Sequence, residues 1–311
     1  MKNKLIVSTS PHIHKQVSVN KIMWLVVVSL IPSGIAGVII FGVNALWVII
    51  ISILSAVITE GILQKLSKKK TTIFDGSAFL TGLLLAYNLP PNVPFWIPII
   101  GAFFAIFIGK QVFGGLGQNI FNPALAGRAF LVASWPKYMT AFSPPFDAVT
   151  SATPLSLIKE GRILEKLSYW DLFLGNKAGC IGEVCILALI LGAIFLLIKR
   201  YISWHIPLTY LITVTILTFI FGKEGLFTGA WLFHILSGGL MLGAFFMATD
   251  YVTSPLTKKG QVIFGVGCGL LTSIIRLWGG YPEGVSYAIL MMNSATPIID
   301  RYTKNRIYGT K

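Results

Sequence analysis

Charge is scarce in this sequence. Asp, Glu, Lys and Arg make up 12% of its 311 residues, against about 25% in soluble globular proteins. A water-soluble fold of this length would have too few charges to cover its surface, whereas lipid-facing positions need none. Acidic residues are the scarcer sign, 11 against 25 basic ones, for a formal net charge of +14. In a soluble domain that excess would point to nucleic acid. Here the basic residues stand at the ends of apolar runs, as the positive-inside rule requires. No nucleic-acid partner is therefore expected, and membrane lipid is the implied contact. Cysteine is rare too: Cys180, Cys185 and Cys268, with no CxxC pair. An iron–sulfur or structural zinc centre takes about four ligands, so no metal site is expected. Cys180 and Cys185 read as free thiols, with a disulfide as the other option for an extracytoplasmic loop. His12 and His14 are too few for a metal site, and His205 and His234 read as packed or bonded within helices. No GxGxxG fingerprint follows a strand, so a dinucleotide is not expected to bind this chain.

What is abundant is long apolar sequence. A transmembrane helix needs about 20 apolar residues, and ten candidate spans satisfy or approach this: 22–42, 44–64, 74–90, 93–109, 117–135, 181–198, 205–221, 227–248, 261–278 and 284–299. Lys2, Lys4, Lys15 and Lys21 precede the first span, which has no small-residue cleavage site after it and reads as a helix, not a leader. Basic residues then follow the even-numbered spans: Lys65 to Lys70, Lys110, Lys199 with Arg200, Lys258 with Lys259, and Arg301 to Lys311. The turns Gly42–Asn44, Leu89–Asn92 and Gly279–Gly284 have none. Ten spans put every basic cluster on one side, with both termini cytoplasmic.

This divides the chain into a cytoplasmic segment 1–21, a first membrane repeat 22–135, an extracytoplasmic loop 136–180, a second repeat 181–299 and a cytoplasmic tail 300–311. The expected fold is an all-α integral membrane protein in two inverted five-helix repeats. Asp75-Gly-Ser-Ala echoes the stretch from Ser237-Gly-Gly, and Gly114-Gly115 to Asn122-Pro123 echoes Gly279-Gly280 to Asn293. An odd number of spans per half inserts the second upside down, and such folds place binding sites at the repeat interface.

The segment 136–180 is the one long loop, and loops of that length are usually functional. It holds Asp147-Ala-Val-Thr-Ser-Ala-Thr153-Pro-Leu-Ser156. By composition this is a surface turn or an Asp cap on a short helix. A threonine hydroxyl with small neighbours is also a possible acceptor for a phosphodiester.

The segment resembles a flavin-attachment motif, Asp-x-x-(Ser/Thr)-(Gly/Ser)-Ala-Thr, matched here by Asp147, Thr150, Ser151, Ala152 and Thr153. Further stretches extend the resemblance along nearly the whole chain. They are Ser10-Pro-His-Ile-His14, Asp75-Gly-Ser-Ala78, Gly114 to Arg128, Ser237 to Asp250, Gly279-Gly-Tyr-Pro-Glu-Gly284 and Pro297-Ile-Ile-Asp300. Together they resemble the family shared by the D-type component of the Rnf electron-transport complex and the B-type component of the Na⁺-translocating NADH:quinone reductase. The short segment before the first span makes the Rnf component the nearer match. The resemblance implies a membrane component of an ion-translocating ferredoxin:NAD oxidoreductase. It would sit as a multi-pass protein in the bacterial inner (plasma) membrane, among other Rnf subunits, with NAD bound by one of them. An extracytoplasmic flavin transferase would link FMN to Thr153, and a noncovalent riboflavin is a second cofactor open to the family. A quinone-reductase component and a non-redox inverted-repeat transporter are the competing readings. No catalytic residue is assigned to this chain alone.

Ser294-Ala-Thr-Pro297 repeats the end of the motif inside span ten without the leading Asp, and reads as packing. Arg128 and Arg276 lie within spans, where a cation normally pairs or binds something. Arg128, placed near the outer end of span five, is a candidate for the FMN phosphate or for a nearby carboxylate. Asp75 and Asp250 are candidate helix caps or ion-path residues. Glu60 is expected near the interface, within reach of water.

Overall fold

The computed structural model describes residues 18–69, 71–142, 153–159, 168–222, 225–281 and 283–304. Helices dominate: α1 Val19–Phe41, α2 Val43–Leu66, α3 Ser77–Tyr87, α4 Trp96–Ile106, α5 Pro123–Ser134, α6 Pro136–Met139, α7 Pro154–Lys159, α8 Tyr169–Leu174, α9 Ile186–Ile198, α10 His205–Ile220, α11 Trp231–Leu236, α12 Leu240–Leu242, α13 Lys258–Leu277 and α14 Val285–Tyr302. A two-residue hairpin, β1 Phe221–Gly222 with β2 Gly225–Leu226, follows α10. Among the described residues three helices, α1, α2 and α13, are long and apolar enough to cross a membrane, and α3, α5, α9, α10 and the stretch 96–111 are shorter apolar helices.

Local chemistry sets the boundaries. Ser18 caps α1 through the Lys21 N–H at 3.3 Å. Gly42, with φ of +77°, ends α1 and starts α2, a conformation a side chain rarely tolerates. Asn122 caps α5, with Pro123 as its first residue. The apolar pattern predicts span five from residue 117, but Gly114, Gly115 and Gly117 all have positive φ, and the helix begins only at Pro123. Two π-helical turns, Phe107–Gln111 and Gly243–Met247, interrupt the regular helices.

The distribution of side chains is inside-out for a protein in water. α13 buries Gly265, Cys268, Gly269, Thr272, Ser273 and Arg276. It exposes Ile263, Val266, Leu270 and Ile274. Small and polar residues between helices with aliphatic ones outward is the arrangement that lipid favours. α1 and α2 likewise expose Ile35, Ile39, Leu54 and Ile58.

In the first half, α2 packs on α3 and α4, and α4 on α5; in the second, α10 packs on α11 and α13, and α13 on α14. α1 packs against α9. Gly192 of α9 permits that crossing, because a methyl there would lie 2.1 Å from the Ser29 carbonyl oxygen. Gly192→Ala is expected to cost about 1–3 kcal/mol by overpacking, visible as a lower midpoint of thermal unfolding in detergent. Gly280→Ala, where a Cβ meets nothing within 4 Å, should leave the midpoint unchanged.

The loops sort into two sets. In one, Lys69 donates to the Gly114 carbonyl at 3.4 Å, Ser203 to Gln261 at 2.7 Å, and the Leu256 N–H to Asp300 at 3.1 Å. A cavity lined by Ile22, Ser77, Lys110, Leu116, Ile202 and Tyr251 joins these segments. In the other, the Gly182 N–H donates to the Tyr87 carbonyl at 3.0 Å, the Ile181 N–H to Leu89 at 3.1 Å, and Lys177 to Leu236 at 2.5 Å. Lys159 donates there to the carbonyls of Gly279 and Tyr281. The basic clusters at Lys65–Lys69, Lys110, Lys199–Arg200, Lys258–Lys259 and Arg301 adjoin the first set, and α7 belongs to the second. The apolar pattern predicts span six from residue 181, yet α9 starts at Ile186, and residues 180–185 form a turn tucked against Tyr87 and the Ser33 hydroxyl.

Candidate functional site

Thr153 immediately precedes α7. Its Oγ1 accepts from the Ser156 N–H at 3.3 Å and lies 3.1 Å from the Ser156 hydroxyl, so it acts as the cap of that short helix. The residue is 5% exposed. Asp147, Thr150 and Ser151, the other motif residues, lie outside the described residues.

α7 lies over a buried cluster of charge. Leu155 packs with Leu172 and Phe233, and its Cδ1 and a terminal nitrogen of Arg276 both border Gly238. Arg276 donates to the carbonyls of Glu283 at 2.9 Å, His234 at 2.5 Å and Ser237 at 3.2 Å. Arg128 ion-pairs with Glu283 and donates to Asn88 Oδ1 at 2.5 Å. Arg128 thus has a carboxylate partner, Glu283. α5 begins late, but its C-terminal end is the expected one, and Arg128 meets Glu283, Asn88 and Cys180 among the loops that accompany α7. Glu183 accepts from the Cys180 N–H at 3.0 Å.

Cys180, Glu183 and Glu283 bring ligand atoms within 4.8 Å of one another. Arg128 already supplies positive charge there, paired with Glu283 and 3.9 Å from the Cys180 sulfur. Counting each group as ionised, Arg128, Arg276 and Lys177 outweigh Glu183 and Glu283 by one positive charge. Among the described residues, Glu183 Oε2, Glu283 Oε1, His234 Nδ1 and the Ser237 hydroxyl are buried without a hydrogen-bond partner. All three cysteines are free thiols.

A second polar network lies at the end that carries the basic clusters. Glu60, expected within reach of water, is instead 1% exposed and ion-paired with Lys110 at 2.8 Å. Lys110 also donates to the Ser77 hydroxyl at 2.6 Å, while Gln111 and Gln64 donate to Glu60 at 2.9 and 3.0 Å. Asp75, one residue before the Gly76 N-cap, accepts from the Ser77 N–H, the first of α3, at 2.7 Å. Sequence reasoning missed the pair, although a lone carboxylate in span two and a lysine closing span four were both visible. The adjoining cavity, about 70 Å³, is lined by Lys110, Asn119, Asn122, Phe245, Phe246 and Asp250 among others. Both π-helical turns contribute to it, Lys110 from one and Phe245 with Phe246 from the other. Such turns recur at functional sites. The repeated Ser294–Pro297 stretch packs as expected, with Thr296 bonded to the Thr253 carbonyl at 2.9 Å.

Known proteins share this sequence from end to end. It is 53% identical over 309 residues to the D subunit of the Na⁺-translocating ferredoxin:NAD⁺ oxidoreductase complex of Acetobacterium woodii, covering 98% of this chain and 95% of that one. It is 51% identical over 323 residues to the D subunit of the proton-translocating ferredoxin:NAD⁺ oxidoreductase complex of Clostridium ljungdahlii, covering 100% and 98%. The D subunit of an ion-translocating oxidoreductase complex of Escherichia coli is 38% identical, covering 97% and 98%. With residues 6–309 matching the profile of the NQR2, RnfD, RnfE family, the chain belongs to that family.

Proposed function

We propose that this chain is the D-type membrane component of an ion-translocating ferredoxin:NAD⁺ oxidoreductase complex, and that it carries FMN esterified through its phosphate to Thr153. The observation that carries the reading is the flavin-attachment motif ending at Thr153, in a chain similar along its whole length to such components. The chain works within the assembled complex, and NAD⁺ and ferredoxin meet other subunits. An extracytoplasmic transferase attaches the flavin.

The ten-span topology in two inverted repeats is part of this proposal. Glu60 and Gln111 bring α2 and α4 together at their C-terminal ends. In the second half Ser203 bonds Gln261, and Tyr210 bonds Thr272, so α10 and α13 run parallel with their N-terminal ends together. Both meetings fall at the end bearing the basic clusters. Opposite helix polarity at one end is what an inverted repeat produces, and the basic clusters assign that end to the cytoplasm. Thr153 then faces outward, in a multi-pass protein of the bacterial inner membrane.

The residues around α7 suit a phosphodiester. The excess positive charge of Arg128, Arg276 and Lys177 favours a group of charge minus one nearby, and Arg276 borders Gly238 together with Leu155 of α7. The flavin supplies the one- and two-electron chemistry; the chain holds it, orients it and excludes water. The cavity between the π-helical turns is the candidate site for a noncovalent riboflavin, but the amides of Asn119 and Asn122 on its wall are already bonded, to the Phe121 carbonyl and to the Met247 carbonyl and the first N–H groups of α5. At about 70 Å³ that cavity is too small for a tricyclic ring as it stands. The coupling ion stays open to Na⁺ and H⁺, because relatives named for each are nearly equally similar, at 53% and 51%.

The test is flavin analysis of the purified chain with peptide mapping. FMN mass on the peptide containing Thr153 supports the proposal. A flavin-free chain from cells that contain the transferase refutes it and favours a non-redox transporter.

A further inference from the structure

A cavity of about 890 Å³ opens beside the N-terminal ends of α10 and α13. That is within the roughly 300–1,000 Å³ usual for small-molecule sites. The two helices run side by side and parallel, so both positive dipole ends point toward this region. Neither has an acidic residue in its first turn. α10 has no side-chain cap, Pro207 removes one of its leading donors, and His205 and Ile206 of its first turn line the cavity. Helix N-termini of this kind bind phosphate.

Side chains reinforce the field instead of cancelling it. Arg200 and Lys258 line the cavity, and among the described residues neither makes an ion pair or a side-chain hydrogen bond. Lysine is an unfavourable choice for the first position of a helix, where an anion is preferred, and an anion seated there reverses that cost. His205 Nδ1 is buried without a partner. Asp300, whose carboxylate reaches this region, is taken by the Leu256 N–H at 3.1 Å. The rim is apolar and aromatic: Trp204, Tyr251 and Leu256 are 57%, 49% and 83% exposed. A free anion has no use for such a rim. An amphiphile with a phosphate head uses both parts.

We propose that this cavity is a binding site for an anionic phospholipid, its phosphate between Arg200 and Lys258 at the two helix ends and its glycerol and upper acyl segments against Trp204, Tyr251 and Leu256. It rests on the membrane reading of the chain and is independent of the flavin. Basic pockets between helices on the cytoplasmic side are where anionic head groups bind.

The experiment is native mass spectrometry of the full chain released from nanodiscs holding equal parts of phosphatidylglycerol and phosphatidylcholine with the same acyl chains. One phosphatidylglycerol should stay bound in preference to phosphatidylcholine. Arg200→Gln should lower that occupancy about fivefold, and Arg200→Gln with Lys258→Gln about 25-fold, since each cation near an anionic head group contributes about a factor of five. Lys65→Gln with Lys68→Gln, in a basic cluster outside the cavity, should leave it unchanged. Unfolding midpoints equal to the parent's establish that the variants are folded. Retention without preference, or an equal loss in the control pair, overturns the proposal. So does complete displacement by inorganic phosphate, which would make the site one for a free anion. Unchanged lipid retention with loss of co-purifying subunits overturns it as well, assigning the cations to an acidic protein surface.

Discussion

Thr153→Ala is expected to remove all covalent flavin from the chain. The fluorescent band of an unstained denaturing gel under ultraviolet light, present for the parent protein, should be absent. The reason is chemical: a phosphoester needs the hydroxyl oxygen, and alanine has none. The alanine variant also loses a helix cap, because Thr153 Oγ1 accepts the Ser156 N–H, a loss worth about 0.5–2 kcal/mol. Thr153→Asn separates the two effects. Asparagine caps as well as threonine but offers no hydroxyl, so it should fold like the parent and still give no band. Thr296→Ala, in the duplicated Ser-Ala-Thr-Pro stretch, should keep full fluorescence, since that hydroxyl is bonded to the Thr253 carbonyl inside the helix packing. A fluorescent Thr153→Asn protein would move the attachment point elsewhere.

The largest stability effect should come from Lys110→Met. Lys110 and Glu60 are 2% and 1% exposed and 2.8 Å apart. Removing one member of such a pair strands the other charge in a low-dielectric interior, at a cost of about 3–5 kcal/mol. Glu60 would keep Gln64 and Gln111 as donors, which softens the loss without neutralising the charge. Glu60→Leu combined with Lys110→Met should recover most of the stability, because buried pairs replaced by apolar residues are often neutral. Thermal unfolding of both variants in detergent is the measurement. A double variant no better than Lys110→Met would mean that the pair is itself a strong net contributor.

Much of this architecture is legible in the sequence, and for a simple reason. Apolar length and flanking lysines are properties of composition, and they place α1, α2, α10 and α13 within a few residues. The shorter apolar helices α3, α4, α5 and α9, and α14, also overlap the segments marked as spans. What escapes is whatever depends on backbone detail. The π-helical turns leave the apolar pattern intact while rotating Lys110 toward Glu60. Three glycines of positive φ delay α5 until Pro123, so the fifth apolar run is a shorter helix than its pattern suggests. Arg276 is satisfied by the carbonyls of His234, Ser237 and Glu283, and backbone acceptors have no sequence signature. Glu183, Lys177 and Asn88 escaped notice because isolated polar residues beside loops seldom mark burial.

The burial of Thr153 has a consequence for how the protein is made. With 5% of its surface exposed and its oxygen engaged by Ser156, the finished fold presents a closed door to a bulky transferase. If Thr153 receives the flavin, attachment belongs to the interval after the loop has crossed the membrane and before α7 settles onto Leu172 and Phe233. Modification would then be an assembly step with a deadline, and chains that dock α7 too early would accumulate as permanently colourless protein.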